Sequence, residues 1–471
     1  MTAEQVLELI RKHSIEYVDF RLTDVPGQWQ HISIPAAEVT EETFRRGIAF
    51  DGSSIRGFRG IEESDMVMVP DPSTAFIDPF TAHPTLAITC DIYLPDGQRY
   101  ERDPRYVAQK AEAYLRATGI ADTSYWGPEL EFFIFDEVRF RLGPNEAYYF
   151  VDSAEAAWNT DKPGSSGYAV RTKQGYVPVA PTDSLQDIRS EMCNELMRIG
   201  IRVERHHHEV ATGGQVEINF AAAPLVRSAD NVMAYKYIVR NVARRHGKTV
   251  TFMPKPIYGD NGNGMHVHQS LAKDGVNLFW DENGYGCLSK LAMHYVAGIL
   301  YHGPALVALT NPSTNSFKRL VPGYEAPINL AFSKGNRSAA IRIPISVTCP
   351  KTARIEFRTP DCTANPYLAF AAMLMAGLDG IRKQLDPVEL GYGPVDKNIY
   401  TLNGEESKRI RKVPRSLEEA LEHLERDHEF LLEGGVFTED LIQTWIDLKR
   451  AEAEMVRSRP HPVEFALFFD A

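Results

Sequence analysis

The sequence predicts an α+β protein of two unequal parts, a small mixed α/β unit up to Asp103 and a larger α+β unit from Pro104 onward. Three observations predict it. The chain of 471 residues exceeds the usual size of one domain. Hydrophobic content of 44% with charged content of 24% is that of an ordinary globular protein able to bury a large core. Short strand-like runs are interspersed with helical periodicities and show no internal repeat.

The first segment, "MTAEQVLELIRKH", pairs Thr2 with Gln5 as a capping box and sets Val6, Leu9 and Ile10 on one helical face. Its acidic residues and short apolar face argue against a signal or transit peptide, so export is not expected. "EYVDFRLTDVPGQWQHISIP" reads as two strands around a turn at 24–27, and "TLAITCDIYL" from Thr85 as another strand. Asp103-Pro104 opens the helical pattern "PRYVAQKAEAYLRATG" and marks the boundary between residues 1–103 and 104–471. Beyond it, strands are expected at 129–135, 201–210, 215–220, 265–271, 340–347 and 354–359, with helices at 183–200 and 228–246. The most apolar run, "YLAFAAMLMAGL", follows Asn365-Pro366 and stops at Asp379, too short to span a bilayer. The loops "TDKPGSSGYAVRTKQGY", "GDNGNG" and "LVPGYEAP" have the length and composition of lids or binding loops.

A net charge of −12 disfavours nucleic acid as a partner. Cys90, Cys193, Cys287, Cys349 and Cys362 are scattered, with no Cys-x-x-Cys, which fits a reducing cytoplasm and suggests neither disulfides nor a thiolate zinc site.

The chemistry gathers on strand faces. In "GPELEFF" the period of two sends Glu129 and Glu131 one way and Leu130, Phe132 and Ile134 the other. A lone Glu-x-Glu is most simply a wet face. In "HHHEVATGGQVEINF", a hairpin centred on Gly213 would place Glu209 opposite Glu217, although another register or a wet face competes with that pairing. "MHVHQS" puts His266 and His268 on one face, and "ARIEFR" does the same for Arg354, Glu356 and Arg358. Five glutamates and two histidines on one sheet face need countercharge, and an oxygen-rich set with at most one histidine per ion suits Mg²⁺ or Mn²⁺. The triple histidine 206–208 invites a zinc reading, but alternating side chains cannot all reach one ion. There is no P-loop and no G-x-G-x-x-G after a strand; instead arginines cluster at Arg319, Arg337, Arg342, Arg354 and Arg358. Carboxylate-held metal with convergent arginines is equipment for phosphoryl transfer.

The stretches "FDGSSIRGF", "ESDMVMVPDPST", "GPELEFF", "DNGNGMHVHQS", "KRLVPGYEAP", "NRSAAIRIP", "KTARIEFRTPD" and "DKNIY" occur in the order of one family, and over essentially its whole length the chain resembles a bacterial class I glutamine synthetase. The resemblance implies a β-grasp N-terminal domain (1–103) and a catalytic α/β barrel-like domain (104–471) with a curved, largely antiparallel sheet. It implies a homododecamer of two stacked hexameric rings, each active site lying between neighbouring subunits. The implied reaction is ATP-dependent ligation of ammonia to the γ-carboxylate of glutamate through γ-glutamyl phosphate, in nitrogen assimilation. Two or more Mg²⁺ or Mn²⁺ ions per site are implied, with ATP as co-substrate.

By the same resemblance Glu131, Glu209 and Glu217 hold one metal and Glu129, His266 and Glu356 the second. His268 and Arg354 lie near the ATP phosphates, and Ser270 and Lys351 near the adenosine end. Asn261, Gly262 and Arg319 bind glutamate, Arg358 bridges substrate and transferred phosphoryl, and Arg337 and Arg342 neutralise phosphate oxygens. Asp51 of a neighbour binds ammonium and takes its proton, Tyr176 lines the ammonium pocket, and Glu325 closes over the site. Tyr400 is the implied acceptor for an adenylyltransferase. A relative acting on a bulkier amine would remodel the ammonium pocket, yet "FDGSS" is intact; a non-catalytic relative or nucleotide-binding module would lose metal ligands, and none is missing.

Overall fold

The capping box at the start of the chain forms as expected: Thr2 and Gln5 bond reciprocally and open the helix Ala3–Lys12, whose Val6 and Ile10 are buried. A computed structural model describes residues 1–322, 324, 326–399, 408 and 410–471. The N-terminal sheet runs in the order Trp29–Pro35, Tyr17–Thr23, Thr85–Tyr93, Asp65–Pro70, Ile48–Asp51, with Phe76–Ile77 pairing onto Thr85–Tyr93. Tyr17–Thr23 lies parallel to Thr85–Tyr93, and its other neighbour is the antiparallel strand across the expected turn.

The larger sheet has the order Val203–His208, Gln215–Phe220, Thr123–Phe135, Met265–Lys273, Ile355–Phe357, Ala339–Ile343, Asn329–Lys334. Along this path every pair is antiparallel except the last. One face is apolar: Leu130, Phe132, Val216, Ile218, Met265, Val267, Ile355 and Phe357 are fully buried. It is covered by long helices, among them Leu225–Arg245 and Pro366–Arg382. The second of these is the apolar run, a buried core helix that continues past the expected stop to Arg382. No single helix among the described residues is long and apolar enough to cross a membrane.

Several ties join the parts, two of them through Asn365 and Arg105. The Asn365 side chain caps Pro366–Arg382 by accepting from Tyr367 N and donates to Asp24 O and Val25 O in the N-terminal turn. Arg105, capped into its helix by Asp103, is 4% exposed and reaches Asp71 and Asp91 on one side and Asp230 on the other.

Several expectations need correction. The strand over 340–347 ends at Ile343 because Pro344 follows, and that over 354–359 shortens to Ile355–Phe357. Asn329–Lys334 and the exposed hairpin Glu137–Leu142 with Ala147–Asp152 were not expected as strands. The helix over 183–200 begins only at Gln186, because Asp183 turns back to bind Arg189. In the hairpin over 201–220, His207 rather than Glu209 stands opposite Glu217. The turn is longer than a centre at Gly213 allows: Glu209 N donates to Gln215 O, Ala211 N to the Gln215 side chain and Thr212 N to Asp260. Gly214 takes a positive φ of +83° in this turn, where an added Cβ would lie 2.4 Å from Ile134 O. The register shift is two residues, so Glu209 keeps its face.

Candidate active site

The polar face of the larger sheet is built strand by strand. Glu131 pairs across with Glu217, and Glu129 with Asn219 on one side and His266 on the other. His268 stands opposite Glu356, which in turn stands opposite Arg342. The period of two alone carries these side chains to one surface, because each intervening residue is in the core.

Two groups of ligand-type atoms result. Glu129, His268 and Glu356 bring one atom each within 4.8 Å of one another, and so do His207, Glu209 and Glu217. His266 belongs beside the first group, its Nδ1 lying 3.7 Å from both Glu129 and Glu356. Glu131 stands beside the second: its carboxylate accepts from Gly264 N at 2.8 Å and Gln215 Nε2 at 3.4 Å. The sequence reading set the histidine triplet aside as a whole, but alternation puts His207 alone on the polar face, 3.6 Å from Glu209 and 3.7 Å from Glu217. His206 turns to Arg189, and His208 is buried against Glu155 at 2.7 Å. Parity with Glu209 was the available signal. Gln215 and Asn219, which donate to Glu131 and Glu217, were also missed.

Charge is unevenly balanced across the face. Burial pushes the Glu217 carboxyl well above its ordinary range, and the neighbouring charges of Glu129, Glu131 and Glu209 add to it. Burial also opposes ionisation of Glu129, but the charge of His268 and hydrogen bonds from His266 and His268 outweigh it and hold the pKa well below normal. Glu356 is likewise brought down to about 2, with Arg358 the leading partner against burial. Burial lowers the pKa of both His207 and His266, leaving neutral imidazoles suited to ligation. Neutral imidazole nitrogens among several carboxylates, on a face where one carboxylate resists ionisation, form a donor set fitted to hard divalent cations.

The arginines line the same face. Arg342 and Arg358 both donate to Glu356, and the Nε of each is buried without a hydrogen-bond partner among the described residues. Arg354 donates to His268 Nδ1 at 3.2 Å. Arg319 is buried with its guanidinium on the carbonyls of Thr359, Pro360 and Arg358, and an added Cβ on Gly264 would lie 2.6 Å from its Nη2. Asn261 is buried beside Gly262, whose carbonyl accepts from Gln215 at 2.9 Å and whose backbone leaves no room for a side chain, Pro254 O lying 2.0 Å from an added Cβ. The Tyr176 ring meets His207 edge-on at 5.5 Å. Ser270 is half-buried on Met265–Lys273, while Arg337 and Lys351 are exposed.

Asp51 is exposed at the end of Ile48–Asp51, where it accepts from Ser53 N and Oγ and from Ser54 Oγ; these bonds hold its pKa below the usual carboxylate value. Glu325 and Tyr400 lie outside the described residues.

Comparison with known proteins decides the family. The profile described as "Glutamine synthetase, catalytic domain" matches residues 101–468, and "Glutamine synthetase, beta-Grasp domain" matches 14–95. The chain belongs to the glutamine synthetase family. Glutamine synthetases of a Nostoc species and of Aquifex aeolicus are each 56% identical to it, over 100% of this chain and 99% of theirs. Among solved structures, Plasmodium falciparum glutamine synthetase superposes with a TM-score of 0.90 at 32% identity, covering 99% of each chain. A GmaS/ADP complex does so with 0.81 at 28%, again over 99% of each. The synthetase thus has a β-grasp N-terminal domain ahead of a curved catalytic sheet. It joins ammonia to the γ-carboxylate of L-glutamate with ATP, by way of γ-glutamyl phosphate, releasing L-glutamine, ADP and phosphate, and uses divalent metal.

Proposed function

We propose that the polar face of the larger sheet is the site where this ligation occurs, with two divalent ions, Mg²⁺ or Mn²⁺. The observation that carries the reading is the pair of adjacent carboxylate–imidazole groups bordered by Arg342, Arg354 and Arg358. Glu131, Glu209 and Glu217, with His207 beside Glu209 and Glu217, would hold one ion. Glu129, His266 and Glu356 hold the other, on the nucleotide side with His268. Bound ions supply neutralisation of phosphate charge and polarisation of oxygens.

The chain's own residues do the rest. Asn261, Gly262 and Arg319 orient glutamate so that its γ-carboxylate oxygen attacks the γ-phosphorus of ATP, forming an acyl phosphate and releasing ADP. Arg337, Arg342 and Arg358 receive charge on the transferred phosphoryl oxygens, and Ser270 and Lys351 lie toward adenosine. Glu325 excludes water from the acyl phosphate. Asp51 of a neighbouring subunit takes a proton from ammonium in the pocket lined by Tyr176; ammonia attacks the acyl carbon, the bond from that carbon to the phosphate oxygen breaks, and the surplus proton on nitrogen leaves with the phosphate. The exposed Asp51 carboxylate, held in place by Ser53 and Ser54, offers the negative charge that attracts ammonium.

Residues 1–103 form the β-grasp unit and 104–471 the catalytic unit, Asp103 capping the helix at the junction. A dodecamer of two stacked hexameric rings accounts for two exposed apolar surfaces: Phe465, Leu467, Phe468 and Phe469 at the C-terminal end, and Phe140, Leu142 and Tyr149 on the hairpin. Five free cysteines and the use of ATP suit the cytoplasm and a role in nitrogen assimilation. Tyr400 is the adenylylation acceptor; phosphodiesterase treatment of enzyme from nitrogen-replete cells should remove the added mass and raise activity. The metal reading is tested by anomalous scattering from Mn²⁺-soaked crystals with nucleotide. Two sites per subunit are expected, and a single one would sink it.

A further inference from the structure

The turn that carries Arg337 is gripped from behind by a segment remote from the metal-binding groups. Residues 335–338 connect the parallel strands Asn329–Lys334 and Ala339–Ile343, and Arg337 stands exposed between Asn336 and Ser338. Both ends of the Asn336 amide are engaged. Its Oδ1 accepts from Ser338 N at 3.0 Å and Ser338 Oγ at 2.7 Å, while its Nδ2 donates to Val395 O at 2.8 Å and Lys397 O at 2.7 Å. Ser338, 5% exposed, also accepts from Ile399 N at 3.1 Å. A second tie lies alongside: Asp396 accepts from Ser333 Oγ at 2.6 Å and from the Tyr285 hydroxyl at 2.5 Å, and that hydroxyl accepts from Lys334 N at 2.9 Å. Beneath both, Ala331, Ala339 and Ile399 form a small buried cluster with Val395 and Ile410 packed against it. The same strand, Ala339–Ile343, carries Arg342 onto Glu356.

Side-chain amides alone offer a neutral acceptor and two donors at one site, so Asn336 can hold its own turn with one end and a distant segment with the other. Two carbonyls of residues 395–399 converge on a single NH₂, and the next turn residue is the arginine. We infer that residues 395–399 are a positioning clamp for Arg337, acting through Asn336 and Ser338, so that displacing this segment lowers activity without any change in the groups that touch substrate. The inference rests on the reading of Arg337 as a phosphate-neutralising residue.

Asn336→Asp tests it, because aspartate keeps the acceptor that serves Ser338 but faces the two carbonyls with no donor. The expected result in the assembled enzyme is a fall in kcat of about tenfold or more with little change in the KM for ATP, as for loss of an interaction made mainly in the transition state. The Ile399 amide should exchange with solvent faster while Tm stays near that of the parent. Introduced into Arg337→Ala, the same change should cost less than about twofold, since the group being positioned is already gone. Ser338→Ala, which removes the acceptor for Ile399 N together with the hydroxyl's own bond to Asn336 Oδ1, should show the same pattern. Wild-type kcat in Asn336→Asp, or an equal fall in both backgrounds, overturns the clamp. Wild-type kcat in Arg337→Ala overturns instead the role given to the arginine.

Discussion

Glu131 and Glu217 stand directly opposite each other on neighbouring antiparallel strands, and Glu217 is 5% exposed. Like charges directly opposite destabilise a sheet, and the Glu217 pKa is raised by burial first and then by the charges of Glu129 and Glu131. A bound cation would resolve this conflict. Glu217→Gln should therefore weaken Mn²⁺ binding by on the order of 100-fold, at or beyond what loss of a ligand's support costs. The metal-free variant should melt no lower than its parent, and about 2 °C higher if roughly 1 kcal/mol of repulsion is relieved. Calorimetry with and without Mn²⁺ measures both; a lower metal-free Tm would contradict the conflict.

Arg105 should be the most sensitive link between the two parts of the chain. Its guanidinium meets Asp71, Asp91 and Asp230 while 4% exposed. Arg105→Met takes the guanidinium away from buried Asp230 and from half-buried Asp71 and Asp91, and breaking such an ion pair typically costs ~3–5 kcal/mol. Urea unfolding should show an earlier midpoint or a separate early transition for the N-terminal part. An unchanged curve would show that the network adds nothing.

His302 should make stability fall toward alkaline pH. The ring lies 2.9 Å from both Asp379 and Asp427 and stacks on Phe430. Burial opposes its protonation, but hydrogen bonds to Asp379 and Asp427 prevail and raise its pKa. A raised folded-state pKa means that this contribution is complete below the unfolded value of about 6.5 and disappears as pH rises through the folded value. Unfolding midpoints measured from pH 6 to 9 should decline in the parent, and the decline should flatten in His302→Gln.

Asp51 should act across a subunit boundary, since its carboxylate is exposed and held ready by its own turn. Assembly from equal amounts of inactive Asp51→Ala and inactive Glu325→Ala subunits should restore activity at roughly a quarter of the sites, the fraction of random interfaces that receive both intact groups. Rings shown by mass to be mixed, yet inactive, would contradict a shared site.

Much of the site is legible in the sequence, and for a local reason. Alternation along a strand follows from chain geometry, so Glu129 with Glu131, His266 with His268, and Glu356 with Arg358 could be assigned to common faces from spacing alone. The same parity covers His207, the member of the histidine triplet that shares a face with Glu209. Capping at Thr2, Asp103 and Asn365 is equally local and forms where expected.

What the sequence by itself determined, then, was which side chains share a face, where helices start, and, through its ordered motifs, the family. Tertiary structure decided which faces meet and in what register. Glu217 sits opposite His207 instead of Glu209 because the turn is lengthened by bonds to Gln215 and to Asp260, the latter some fifty residues away along the chain. Asn336 reads as an ordinary turn residue until Val395 and Lys397 arrive beside it. Periodicity is written into consecutive residues, whereas pairing between distant segments is settled only when the whole core packs and every buried polar group finds its partner.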